Sequence, residues 1–174
     1  MFCTGVKDKN TGPNKYIIKF KEKHPDFFNI EFSELKKKKR VGSGAFGTVY
    51  RVEYKNKYVA AKRIDTNGGN DTYKYLSREI LNLRKLHHQN ILEYIGLAHE
   101  DLREVYLITD FVDGLSLDKM KKKIRKNYAV ITEIAAKIAF GMRYMNSINM
   151  LHRDLKLANV LVIFLIFLII ILII

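Results

Sequence analysis

The chain has 174 residues, 48% of them hydrophobic, with a formal net charge of +13. That length and apolar share allow one domain of ordinary size with a packed core. The single cysteine, Cys3, excludes an intrachain disulfide and fits a reducing compartment. A pI near 9.7 would draw anions such as nucleotides, acidic lipid or nucleic acid, although solvated lysine-rich faces account for most of the charge. No zinc-finger spacing, recognition-helix pattern or RNP-like aromatic motif supports a nucleic-acid partner. The first ten residues hold no apolar run of signal-peptide length and no glycine after Met1, so neither a secretory signal nor myristoylation is expected.

Residues 1–29 are polar and lysine-rich and hold both prolines, Pro13 and Pro25. They read as a basic mobile arm with a short helix near 16–23. Ile30-Glu31-Phe32 is expected as an edge strand. Residues 36–40 are five consecutive cations, either a solvated strand start or a patch for nuclear import or an acidic partner.

Val41-Gly42-Ser43-Gly44-Ala45-Phe46-Gly47-Thr48-Val49 follows the pattern GxGxxGxV. Residues 49–54 and 58–61 on its far side are rich in β-branched and aromatic types and read as strands. Strand, glycine loop, strand favours a hairpin lid over phosphates rather than a helix N-terminus beneath them. Glycines there let the backbone approach a phosphate with no Cβ in the way. Lys62 ends the next strand.

Gly68-Gly69-Asn70-Asp71 is a loop with a helix cap at its end. The helix it opens runs to about residue 86, with Leu76, Ile80 and Leu83 on one face and Glu79 beside them. His87 and His88 form a turn; no nearby cysteine or carboxylate completes a metal site with them. Residues 91–99 and 105–111 read as strands around the polar turn at 100–104. Ser116 is expected to cap a short basic helix over 116–126. Ile131, Ile134, Ala135, Ile138, Met142 and Met145 then recur at helical spacing, which predicts a long amphipathic helix. It delivers the chain to His152-Arg153-Asp154-Leu155-Lys156-Leu157-Ala158-Asn159.

Taken in order, Gly42, Gly44, Gly47 and Val49, then Ala60 and Lys62, Glu79, and the loop Asp154, Lys156 and Asn159 resemble the eukaryotic protein kinase domain over about residues 35–162. Lys156, two residues after Asp154, resembles the serine/threonine type; the wording around Gly42–Gly47 resembles the tyrosine-kinase-like branch. The resemblance implies an α+β fold. It would comprise a small lobe, a five-stranded antiparallel sheet plus one helix, over 30–112, and the first helices of the large lobe with the catalytic loop over 113–162. The basic arm at 1–29 would precede these and an apolar tail at 163–174 would follow.

It also implies the chemistry, transfer of the ATP γ-phosphate to protein Ser/Thr, with ATP and Mg²⁺ as cofactors and a protein substrate in a full-length form. Asp154 would accept the substrate hydroxyl's proton and Lys156 would stabilise the moving phosphoryl group. Lys62 would steady the α/β-phosphates, held by Glu79, and Asn159 would hold one Mg²⁺. Val41, Val49, Ala60 and Leu161 would line the adenine pocket under the glycine loop. The backbone of Asp110 and Val112 would bond adenine, with Thr109 guarding the back pocket and Gly114 opening the way to the large lobe.

The departure comes after Asn159, where fifteen residues carry no polar side chain. The family continues there with a short strand, expected at 160–162, and then Asp-Phe-Gly, whose aspartate is the main Mg²⁺ ligand. With that aspartate, the activation loop and the rest of the large lobe missing, ATP binding rather than catalysis is expected of this chain. The alternative is a non-catalytic, pseudokinase-like or membrane-anchored interaction fragment. Part of the apolar face of the 131–147 helix would be left uncovered.

Three readings of the tail stay open: a truncated or mis-assembled gene product, a C-terminal membrane anchor, or a buried strand or helix patching the lobe. Fifteen residues span about 22 Å as a helix against a hydrocarbon core of about 30 Å. The expected location is cytoplasmic, membrane-associated if the tail is genuine.

Overall fold

The structure, a computed structural model, describes residues 15–44, 47–64, 69–100, 104–163 and 168–171. Its centre is an antiparallel sheet of β1 (Lys36–Gly44), β2 (Gly47–Tyr54), β3 (Lys57–Ile64), β4 (Tyr94–Glu100) and β5 (Glu104–Asp110), in the order β1-β2-β3-β5-β4. Alternation along each strand sends side chains to two faces, and both faces are covered. On one face Val52, Tyr54, Val59, Ala61, Ala98, Tyr106 and Ile108 pack with Ile30. On the other, Leu97, Val105 and Leu107 pack against Ile80, Leu83 and Leu86, which α2 (Gly69–Leu83) and the turn after it supply. Of the expected helical stripe, Ile80 and Leu83 are buried; the side chain of Leu76 lies outside the described set, as do residues 65–68 and 101–103.

Lys55 and Asn56 close the β2–β3 hairpin with φ of 47° and 62°, both left-handed, as a two-residue hairpin turn matching the strand twist requires. At Gly47, φ is +114° and a Cβ would collide with the carbonyl oxygen of Arg63. Only glycine fits where β2 leaves the loop; Ala45 and Phe46 at its tip lie outside the described residues.

The N-terminal segment is packed from residue 15 onward, where the sequence suggested a mobile arm. α1 (Lys15–Lys23) falls close to the expected helix and buries Ile17 and Phe20, and a 3-10 turn at Pro25–Phe27 buries Phe27. The lysines of α1 are spread around a narrow apolar stripe, so composition hides the stripe. Residues 1–14 lie outside the described residues. The edge strand expected at 30–32 is instead a 3-10 turn at Phe32–Glu34. There the Glu31 N–H donates to Glu34 Oε2 at 3.2 Å, satisfying locally a backbone group that a strand would have left to a neighbour.

Of the five cations at 36–40, Arg40 donates to Ser43 Oγ at 2.6 Å and two others are engaged more deeply. Lys37 pairs with Glu53 at 2.7 Å. Lys38 Nζ donates to Tyr106 Oη at 2.7 Å and lies 4.2 Å from that ring's centre, 4.3 Å from Tyr50 and 5.6 Å from Phe32. The Tyr106 hydroxyl donates in turn to Glu104, which also meets Arg63 at 3.1 Å. Burial lowers the Lys38 pKa. The Tyr106 hydrogen bond, with help from Arg63, holds the Glu104 carboxyl below its ordinary 4.5. A carboxyl whose pKa falls on folding adds stability that is complete above its unfolded value and is lost as pH falls through its folded value. Tyr106→Phe is therefore expected to lower Tm at pH 7 and to narrow its difference from wild type below pH 4. Parallel thermal melts from pH 3 to 7 check this; a constant offset across that range would count against it.

The second part of the chain contains β6 (Leu115–Ser116), α3 (Leu117–Ile124), α4 (Tyr128–Ser147), β7 (Val160–Ile163) and β8 (Leu168–Ile171). β6, β7 and β8 form a small antiparallel sheet. Leu117, Met120, Ile134, Val160 and Val162 make its core. Ser116 stands at the N-cap of α3 without a capping side-chain bond. The long helix starts three residues earlier than its apolar repeat suggested, because Asn127 Oδ1 accepts from the Val130 N–H at 3.1 Å. Ile134, Gly141 and Met145 are buried, whereas Ile131 and Phe140 on the same helix are exposed. The uncovered apolar face is thus present.

Gly114 marks the crossing into this part: a Cβ there would lie 2.5 Å from the carbonyl oxygen of Val162.

The expected strand at 160–162 is β7. Of the tail beyond it, residues 168–171 are neither a helix nor free chain. They pair with β7, and Ile171 is 0% exposed. Its N–H donates to the Asn90 carbonyl at 2.9 Å and its own carbonyl accepts from the Leu92 N–H at 3.0 Å. Residues 164–167 and 172–174 lie outside the described residues. Among the described residues no helix is long and apolar enough to cross a membrane.

Candidate active site

Strand register gathers the first half of the site on one face of the sheet. Gly42 pairs with Val49, Val49 with Lys62, and Lys62 with Leu107, one row across four strands. Ala60, two residues before Lys62 and so on the same face, pairs with Thr109, which is buried. Gly44 pairs with Gly47 at the mouth of the hairpin, and Val41 is exposed. A Cβ at Gly42 would meet nothing within 4 Å, so the strand borders open space there.

Glu79 on α2 faces Lys62 on β3, with Oε1 3.7 Å from Nζ and only 12% and 22% of the side chains exposed. Glu79 Oε1 makes no hydrogen bond. The two charges thus form a long ion pair between strand and helix.

At the end of β5, the Asp110 N–H donates to the Glu93 carbonyl at 3.2 Å. Of this residue's backbone only the carbonyl is then offered to a ligand, since the Thr109 hydroxyl reaches it at a long 3.4 Å. Burial, reinforced by Glu93, pushes the Asp110 carboxyl up. Val112 is half-buried in the following loop. Leu161, also half-buried, lies on β7 opposite Ser116 and Ile170.

The second half of the site is the loop after α4. His152 is buried, and its Nδ1 accepts the Asp154 N–H at 3.3 Å. Lys156 Nζ lies 2.7 Å from Asp154 Oδ2. Asn159 is buried at the end of a 3-10 turn, Leu157–Asn159. Its Nδ2 donates to the Asp154 carbonyl at 2.8 Å and to Oδ2 at 3.0 Å. The Lys156 bond, followed by that from Asn159, holds the Asp154 carboxyl below its ordinary value. It is therefore an anion at neutral pH, with one oxygen doubly engaged.

Arg153 has φ of 66°, a conformation uncommon for a residue with a Cβ. His152 and Arg153 were legible as parts of the motif, but the anchoring role of the imidazole and the strained backbone were not. Of the two histidines expected in a turn, His88 opens one, its carbonyl accepting from the Ile91 N–H at 2.9 Å while its ring stacks on Tyr144. His87 precedes it, its N–H donating to Tyr144 Oη at 2.9 Å and its Nδ1 lying 3.4 Å from Glu93 Oε1. Among the described residues no three His, Cys, Asp or Glu side chains converge to hold a metal ion.

Comparison with known proteins agrees with this geometry. The profile of the family described as protein tyrosine and serine/threonine kinase matches residues 35–166. The chain is 37% identical over 137 residues to the kinase and exchange factor for Rac A of Dictyostelium discoideum, covering 77% of this chain and 10% of that protein. It is 31% identical over 150 residues to the probable serine/threonine-protein kinase kinY of the same organism, covering 77% of the chain and 26% of the relative. Against the serine/threonine-protein kinase TNNI3K of Mus musculus the identity is 28% over 151 residues, covering 83% of the chain and 18% of the relative. The chain spans about a quarter or less of the length of each of these relatives. It belongs to the protein kinase family.

Proposed function

We propose that this chain is the nucleotide-binding portion of a serine/threonine protein kinase and that it binds ATP more effectively than it transfers phosphate. Adenine lies against Val41, Val49, Ala60 and Leu161 with its edge at the Asp110 carbonyl and the Val112 backbone. The triphosphate lies under the hairpin of Gly42, Gly44 and Gly47, against Lys62. The observation that carries this reading is the half-buried Lys62–Glu79 ion pair at 3.7 Å, with Lys62 aligned across the strands with Val49 and open space at Gly42. The proposed division is an N-terminal segment at 1–29, packed on the small lobe from residue 15, the small lobe itself at 30–112, the start of the large lobe at 113–162 and the tail at 163–174.

In phosphoryl transfer to a protein hydroxyl, the ionised Asp154 would accept the proton and Lys156 would meet the charge of the moving group. The donor set fits Mg²⁺ poorly. Mg²⁺ favours one or two carboxylates besides phosphate oxygens and water. Asn159 offers a neutral amide oxygen, its nitrogen is committed to Asp154, and Asp154 Oδ2 is already engaged by Lys156. Binding and orientation of ATP are what the residues present supply.

Titration calorimetry with ATP, with and without EDTA, tests this. Binding that survives EDTA, with little phosphate transfer to a generic protein substrate, is the expected result. Absence of binding in both conditions would refute the nucleotide site; strong Mg²⁺-dependent transfer would refute the binding-only part.

A further inference from the structure

The packed segment at 15–30 is stitched between α2 and β4. Ile17, Phe20 and Phe27 share one core cluster with Ile80 and Leu83 of α2, Leu86 just beyond it, and Leu97 of β4. Phe20 is 0% exposed and meets Phe27 and Phe28 edge-on at 5.8 and 6.0 Å. On the helix side, Asp26 pairs with Arg84 at 2.6 Å. On the sheet side, the Ile30 N–H donates to the Leu97 carbonyl and Asn29 Nδ2 to the Ile95 carbonyl, both at 3.3 Å. Lys21 Nζ reaches His99 Nε2 at 2.6 Å, and the Tyr94 hydroxyl donates to the Phe27 carbonyl at 3.4 Å. Gly96 of β4 provides a notch for the segment, since a Cβ there would collide with Asn29 Oδ1.

Glu79 is the sequence neighbour of Ile80, whose side chain is 0% exposed in this cluster. Because Glu79 makes no hydrogen bond through the oxygen nearest Lys62, the pair does not fix the helix. Packing of the helix fixes the pair, and a shift of about an ångström along its axis, less than one residue's rise, changes a 3.7 Å separation materially. We infer that residues 15–30 act in cis as a positioning element for the nucleotide site: they clamp α2 so that Glu79 is presented to Lys62, and release of the segment weakens ATP binding without touching a residue of the site. This rests on the reading of Lys62 and Glu79 as nucleotide-site residues. Phe20 is the central positioning residue, acting through Ile80 and Leu83.

The test compares the full chain with Phe20→Ala, Phe20→Leu and Met120→Ala, by backbone hydrogen exchange and ATP titration. Met120 is equally buried but belongs to the core under α3, so it reports ordinary loss of stability. For Phe20→Ala, exchange over residues 77–86 should accelerate about tenfold or more relative to β2 and β3, as for a locally opening unit. Its ATP Kd should rise several-fold. Phe20→Leu should restore both, and Met120→Ala should move neither selectively. Equal acceleration across α2, β2 and β3, or faster α2 exchange with unchanged ATP affinity, would overturn the inference. If the wild-type chain binds no ATP, the nucleotide reading itself fails. The exchange pattern then still decides whether the segment clamps α2.

Discussion

Replacing Lys62 with methionine should raise the Kd for ATP by about 10- to 150-fold, the loss of one charge-assisted contact worth about 1.5–3 kcal/mol. Methionine keeps the length and apolar stem of lysine and removes only the charge, so β3 and its pairing with β2 and β5 should persist. The change also strips Glu79 of its cation. That carboxylate is 12% exposed, and a buried charge without its partner is costly. A lower Tm should therefore accompany the lost affinity. Glu79→Gln separates the two effects. It removes the carboxylate's charge while leaving Lys62, so affinity should fall less than in Lys62→Met. A double-mutant cycle then measures their coupling. Calorimetric Kd values and melts on the three variants suffice. Wild-type affinity in Lys62→Met would remove the ammonium from the site.

The second large effect concerns the apolar end of the chain. Ile171→Ala should destabilise the fold by about 2–5 kcal/mol, the range for emptying a fully buried isoleucine site. Ile171 is 0% exposed and its backbone closes two hydrogen bonds to residues 90–92, so the surrounding groups have little freedom to collapse into the space. Ile131→Ala, on the exposed face of α4, is the comparison and should cost under about 0.5 kcal/mol. Denaturant melts distinguish the two. Equal small losses would mean that the 168–171 strand contributes nothing to stability.

Much of this fold could be read before any coordinates. The runs at 49–54 and 105–111 are rich in β-branched and aromatic residues, and the glycines between 42 and 47 mark the first hairpin. Lys62 and Glu79 could be paired because their order among the other motifs is distinctive, although a strand and a helix separate them. Other features depend on contacts that no local pattern encodes. The stripe of Ile17, Phe20 and Phe27 is sparse and set among lysines, so its burial emerges only once α2 and β4 provide the opposite wall. The all-apolar tail has no periodicity, which leaves strand and helix undecided by pattern. Lys38 finds its three rings through pairing of β1 with β2 and of β3 with β5, spanning residues 32 to 106. The loss of the Asp110 N–H to Glu93 likewise follows from how β5 ends beside the chain entering β4. Asn127 differs in that its capping bond to Val130 is local, but the apolar repeat begins only at Ile131, past the first turn that the cap secures.

The backbone at Arg153 carries a consequence for sequence selection. Its φ of 66° costs an ordinary L-residue about 1–2 kcal/mol relative to the right-handed region, and glycine would relieve it. A randomised library at this position screened only for resistance to proteolysis should drift toward glycine or asparagine. The same library screened for a function of the loop would keep arginine only where its guanidinium is used. The enrichment ratio between the two screens would then measure, in free energy, what that side chain is retained for.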